Sequence, residues 1–219
     1  MSSPLDSLIE EVDEDLRRDR AVALMRKYGP YVIALALGVV ISVAGVMVWR
    51  QYKAEREMER STVYATALDA INRGDAEQAT KLLGDVSSAG PASGYGVLAR
   101  LQDAALKARA GDPSGAATIY DGIATDSRVD PLFRELSQIL YALTAFDSTD
   151  PAQLAARIQP LADGNGPWRF SAKEIAGYLA VKTGDAARAK DLFAQIADDP
   201  RAPEEIRGRA AAMASTLGR

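Results

Sequence analysis

The chain has 219 residues, 26 basic and 30 acidic, a formal net charge of −4, and neither cysteine nor histidine. Those two absences exclude a disulfide, a thiolate nucleophile, a cysteine or histidine zinc cluster and a histidine base. From Ser61 onward there are 17 basic and 20 acidic residues, without the basic surplus of a nucleic-acid binder, so no nucleic-acid partner is expected. The lack of cysteine suits either side of a bacterial inner membrane and does not choose a compartment.

Residues 1–29 hold a candidate amphipathic helix: Leu5, Leu8, Ile9, Val12 and Leu16 recur at helical spacing against Glu10, Glu11, Asp13, Glu14 and Asp15. Its acidic face suits a partner protein better than anionic lipid; a solvated tail is the competing reading. The next nineteen residues, Tyr31 to Trp49, contain no charged side chain. As a helix they cover roughly 28 Å, close to the hydrocarbon thickness of a bilayer, and they lack the polar stripe of a core helix. Tyr31 and Trp49 stand where interfacial aromatics belong, and a membrane helix over residues 30–50 is expected. Ala34, Gly38 and Ser42 fall four apart and form a candidate row for close packing against another membrane helix.

Flanking charge scarcely orients the span, with five basic residues in the fifteen before it and four in the fifteen after. A short tail and a large following domain are compatible with a cytoplasmic N-terminus. Residues 51–60 continue in helix-forming residues as a charged stalk, and residues 61–219 form the globular part.

That part repeats. Asp75, Asp112, Asp150 and Asp185 are separated by 37, 38 and 35 residues, and Gly74, Gly111 and Gly184 precede three of them. Four residues after each aspartate stand Ala79, Ala116, Leu154 and Ala189. Eight after stand Leu83, Tyr120, Ile158 and Phe193, and eleven after stand Val86, Ile123, Leu161 and Ile196. Eight residues before stand Ala67, Ala104, Ala142 and Gly177, all small. Each unit predicts two helices, with glycine ending the first and aspartate capping the second. A hairpin of this kind cannot bury its apolar face alone, so an all-α solenoid of about four stacked hairpins is expected. The third unit, with Ser148 and Thr149 before Asp150, departs most from the pattern. Residues 199–219 read as a closing helix.

These columns resemble a tetratricopeptide repeat array. The whole arrangement resembles the YfgM-type family of ancillary Sec-translocon subunits: an acidic tail with EEVDEDLRRDR, one membrane helix, then hairpins with YGVLARL opening the second. That resemblance implies a single-pass inner-membrane protein with a cytoplasmic N-terminus and a periplasmic repeat domain. It also implies contacts with the Sec translocon and a membrane-anchored periplasmic chaperone.

No nucleophile elbow, phosphate loop, dinucleotide fingerprint or calcium loop occurs, and a non-catalytic chain without cofactor is expected. Gly90, Gly94 and Gly96 lack a phosphate-reaching lysine, and the adjacent acids Asp198 and Asp199 read as a helix end and turn. The candidate partner-binding face is the apolar stripe of the first helices: Tyr64, Leu68, Leu98, Leu101, Ile139, Leu143, Phe146, Tyr178 and Val181. That stripe is either an open groove for client polypeptides or core. Trp168 with Phe170 reads as a staple between units rather than a ligand platform. The resulting expectation is a membrane-tethered adaptor at the translocon and periplasmic chaperones. Its alternatives are an accessory or assembly subunit of another inner-membrane complex, or a cell-division or envelope coordinator.

Overall fold

The computed structural model describes the backbone of residues 4–218 and the side chains of residues 24–28, 31, 35 and 37–218. The apolar face Leu5 to Leu16, and Ala34 of the small-residue row, lie outside the described side chains. Residues 1–58 and 59–219 form two compact units.

Among the described residues there are nine helices and no strand. The first, α1 (Pro4–Asn72), runs continuously through Pro30 and enters both units. Among the described residues no helix is long and apolar enough to cross a membrane. Positions 32, 33, 34 and 36 of the uncharged stretch are not among them. In the first unit the Ser42 hydroxyl donates to the Gly38 carbonyl at 2.8 Å, so this polar group is satisfied within its own helix.

The second unit is a stack of hairpins. The end of α1 pairs with α2 (Ala76–Ala89), α3 (Gly94–Arg109) with α4 (Pro113–Ala124), α5 (Pro131–Thr144) with α6 (Pro151–Asp163), and α7 (Arg169–Lys182) with α8 (Ala186–Ala197). The last helix, α9 (Glu204–Leu217), packs on α8 and α7.

Local chemistry fixes the turns. Gly74, Gly111 and Gly184 have φ of 78°, 84° and 81°, the left-handed region that a side chain disfavours. In each turn the glycine N–H bonds back to one carbonyl and the aspartate N–H to the one before it. At the first turn these bonds are Gly74 to Ile71 at 3.0 Å and Asp75 to Ala70 at 2.9 Å. The aspartate carboxylate then accepts a backbone N–H of the next helix: Gln78 at 3.0 Å, Gly115 at 2.8 Å and Arg188 at 3.0 Å. Asp150 caps α6 through the N–H groups of Ala152 and Gln153 without a left-handed residue. There the chain turns through 145–149, with Ser148 and Thr149 both donating to Ala145.

The apolar columns are the core. Ala79, Ala116, Leu154 and Ala189 are buried, as are Leu83, Tyr120, Ile158 and Phe193; in the last column Leu161 alone is only half-buried. Leu154 replaces an alanine, and α5 and α6 make the sparsest backbone approach of the successive pairs from α2 to α9.

Polar links join units about one repeat apart. Trp168 Nε1 donates to the Leu132 carbonyl at 3.2 Å, so the tryptophan staples the loop before α7 to α5. Lys182 Nζ donates to the Phe146 carbonyl at 2.6 Å, and Arg209 holds Glu174 through two bonds of 2.8 Å.

Two turns share a device. At Asp126-Ser-Arg128 and Asp199-Pro-Arg201 the carboxylate accepts from the backbone N–H, Nε and Nη2 of the arginine two residues on. These arginine side-chain bonds first, and the backbone bonds second, lower both carboxyls to about 2. Because these pKa values lie below the unfolded value of about 3.9, the stabilisation is present above pH 4 and fades as pH falls through 2. Urea midpoints measured from pH 5 to pH 2 should therefore fall more steeply for the parent chain than for an Asp126→Asn, Asp199→Asn double variant. Parallel curves would remove these turns as the acid-sensitive elements.

Candidate partner-binding surface

Eight of the nine residues of the predicted apolar stripe stand on the first helices of the hairpins and Phe146 lies in the turn after α5, and their surroundings differ. Ile139 is buried among α5, α6 and α7. Tyr64 packs in the first hairpin beside Tyr95, with ring centroids 5.8 Å apart, and Leu101 lies against the α3–α4 core. Tyr178 makes an edge contact with Phe193 at 5.2 Å. Leu68, Leu98 and Phe146 are half-buried. Leu143 and Val181, 54 % and 38 % exposed, stand in the last turns of α5 and α7. Lys182 ties these two helix ends together. Its ammonium lies 4.7 Å from the Phe146 ring and 3.1 Å from Asp147. The most accessible part of the stripe is thus a patch at the C-terminal ends of α5 and α7, apolar with one cation and one anion beside it.

A second feature lies between the second helices of successive hairpins. The residues nine before the cap aspartates are Thr66, Asp103, Tyr141 and Ala176. Asp103 carries a buried Oδ1 without a hydrogen-bond partner among the described residues, and burial pushes its carboxyl up. Tyr141 packs against both the α3–α4 core and the α5–α7 core. The Arg157 guanidinium from α6 lies 4.0 Å over its ring and hydrogen-bonds Asp121 of α4. This aromatic wedge was not legible in the apolar columns, because the residue type at its register differs from unit to unit. A tyrosine at fixed distance from the cap, followed by an arginine, was the available signal.

Asp198 caps the end of α8 and Asp199 belongs to the arginine turn. Among the described residues no group of three or more acidic side chains could hold a metal ion. Ser93 caps α3 through the Gly96 N–H, so the link of residues 90–93 serves a helix start, with Gly94 and Gly96 in the first turn of α3.

A search of curated proteins finds no match to the chain. A family comparison matches residues 23–209 to the tetratricopeptide repeat-like domain. Domains of this kind bind protein partners and are typically non-catalytic adaptor folds. On its stacked hairpins and on this match over most of its length, the chain belongs to the tetratricopeptide repeat-like domain family.

Proposed function

We propose that this protein is a membrane-tethered adaptor of the bacterial inner membrane, with residues 1–29 in the cytoplasm and the repeat domain in the periplasm. One observation carries the tether: every side chain described between Tyr31 and Trp49 is exposed, including Tyr31 at 73 %, Ile41 at 70 % and Trp49 at 62 %. An exposed apolar stretch of this length is costly in water and is relieved by lipid or by another membrane helix. The proposed partners are the Sec translocon, periplasmic chaperones and client polypeptides, in keeping with the resemblance to the YfgM-type family. Tethering raises the local concentration of the repeat surface beside emerging chains, where weak binding suffices.

The chain has no native cysteine, which permits a clean topology test. With Ser7→Cys and Ser114→Cys as single reporters, an impermeant maleimide added to intact spheroplasts should label position 114 and spare position 7 until the membrane is opened. Labelling of position 7 alone reverses the orientation, and recovery of the chain in the soluble fraction removes the tether. Co-purification in mild detergent then tests the partners. Translocon subunits and a periplasmic chaperone should be enriched. A different stoichiometric complex, lost when residues 30–50 are exchanged for an unrelated span, would instead make the chain an accessory subunit packed through Ala34, Gly38 and Ser42.

A further inference from the structure

A cleft of about 130 Å³ opens between α6, α7 and α8. Its floor is Ala176, Leu179 and Ala180, all buried, Ala155 forms one wall, and its exposed rim includes Asp185 and Arg188. The preceding unit carries a ring at the corresponding register. Counted from the cap aspartates, Ala176 has the register of Tyr141, the ring wedged against the cores of two successive hairpins. The two clefts share a second property: an arginine from the later second helix crosses to the earlier one. Arg157 bonds Asp121 while lying 4.0 Å over Tyr141, and Arg188, one turn nearer its cap, bonds Gln159 at 3.0 Å. The fourth unit therefore has an arginine crossing to the preceding second helix, as the third has, with Leu192 at the register of Arg157 and alanine where the third unit has the ring.

We propose that the cleft between α6 and α8 is a binding site for an aromatic side chain, tyrosine or phenylalanine, supplied by a polypeptide partner and seated on Ala176 beneath Arg188. The volume is of the order that admits a benzene ring into an apolar cavity. Arginine over a ring contributes attraction that an aliphatic side chain does not receive. The proposal rests on the adaptor reading, since it names the chemistry of a partner contact, but its test needs neither the translocon nor a chaperone.

The full chain, labelled with ¹³C at alanine methyls, is titrated in detergent micelles with N-acetyl-L-tyrosinamide and, separately, N-acetyl-L-leucinamide. Ring currents should shift the Ala155, Ala176 and Ala180 methyls saturably, with a dissociation constant on the order of 1 mM, while the Ala67 and Ala210 methyls stay still. The tyrosine probe should bind about threefold tighter than the leucine probe, and Arg188→Gln should remove that difference. Ala176→Tyr restores the side chain of the third unit. It should fold with a melting temperature close to that of the parent and abolish the titration. Absence of saturable shifts at the three methyls, equal affinity for the two probes, or undiminished binding to Ala176→Tyr overturns the proposal. So does failure of Ala176→Tyr to fold, because the cleft would then not accept a ring. Ring binding without translocon enrichment would leave the cleft standing and remove the proposed location of the adaptor. The opposite pair of results would do the reverse.

Discussion

Replacing Phe193 with alanine should cost the fold about 3–5 kcal/mol, the range for emptying a fully buried aromatic site. Phe193 has no exposed surface, meets Tyr178 edge-on, and packs where α7, α8 and α9 converge. Its ring also explains the glycine opposite. A Cβ built on Gly177 would stand 2.7 Å from Phe193 Cζ and 2.9 Å from Cε1, inside any tolerable carbon contact. Alanine at position 177 would gain about 1 kcal/mol of helix propensity, while overpacking typically costs about 1–3 kcal/mol. The ring cannot retreat because it is enclosed, so overpacking wins and Gly177→Ala destabilises. The two sites must couple: Gly177→Ala should be nearly harmless in a Phe193→Leu background, where the far end of the ring is gone. Chemical denaturation of the four chains measures the cycle. Additive costs would show that the ring and the missing Cβ do not share one space.

Arg209→Ala should loosen the C-terminal helix before the rest of the stack. Glu174 is only 8 % exposed and sits on α7, where its two oxygens take the two bonds from Arg209 of α9. The hydrogen bonds to this carboxylate, and then its charge, raise the Arg209 pKa. Removing the arginine strands a carboxylate in a water-poor position, a change that costs about 3–5 kcal/mol for a fully buried pair. The Arg209 side chain is 52 % exposed, so solvent screens the pair and a cost of about 1–3 kcal/mol is expected. Hydrogen exchange should accelerate across Glu204–Leu217 and scarcely change in α2 and α3. Adding Glu174→Gln should return part of the loss, since the stranded charge is then gone. Uniform acceleration throughout the repeat domain would mean that α9 is not held separately by this pair.

The repeat was legible because its determinants are local. A glycine beyond a helix end and an aspartate before the next complete their hydrogen bonds within about six residues, so Gly74-Asp75, Gly111-Asp112 and Gly184-Asp185 announce their turns wherever they occur. The small and apolar columns follow from helical periodicity, and Trp168 could be read as a staple because an aromatic beside a breaker-rich loop needs burial. The arginine turns at Asp126 and Asp199 are equally local and were still missed, because a carboxylate and an arginine two apart carry no periodic signal. Partner-face exposure was decided elsewhere. Ile139 and Leu143 are four apart on one helix, yet one is 5 % and the other 54 % exposed. The same register holds Tyr141 wedged between cores in one unit and leaves a cleft over Ala176 in the next. Sequence alone therefore determined the hairpins, their caps and their order. Tertiary structure decided which side chains remain open, because exposure depends on what a neighbouring hairpin places there from about one repeat away.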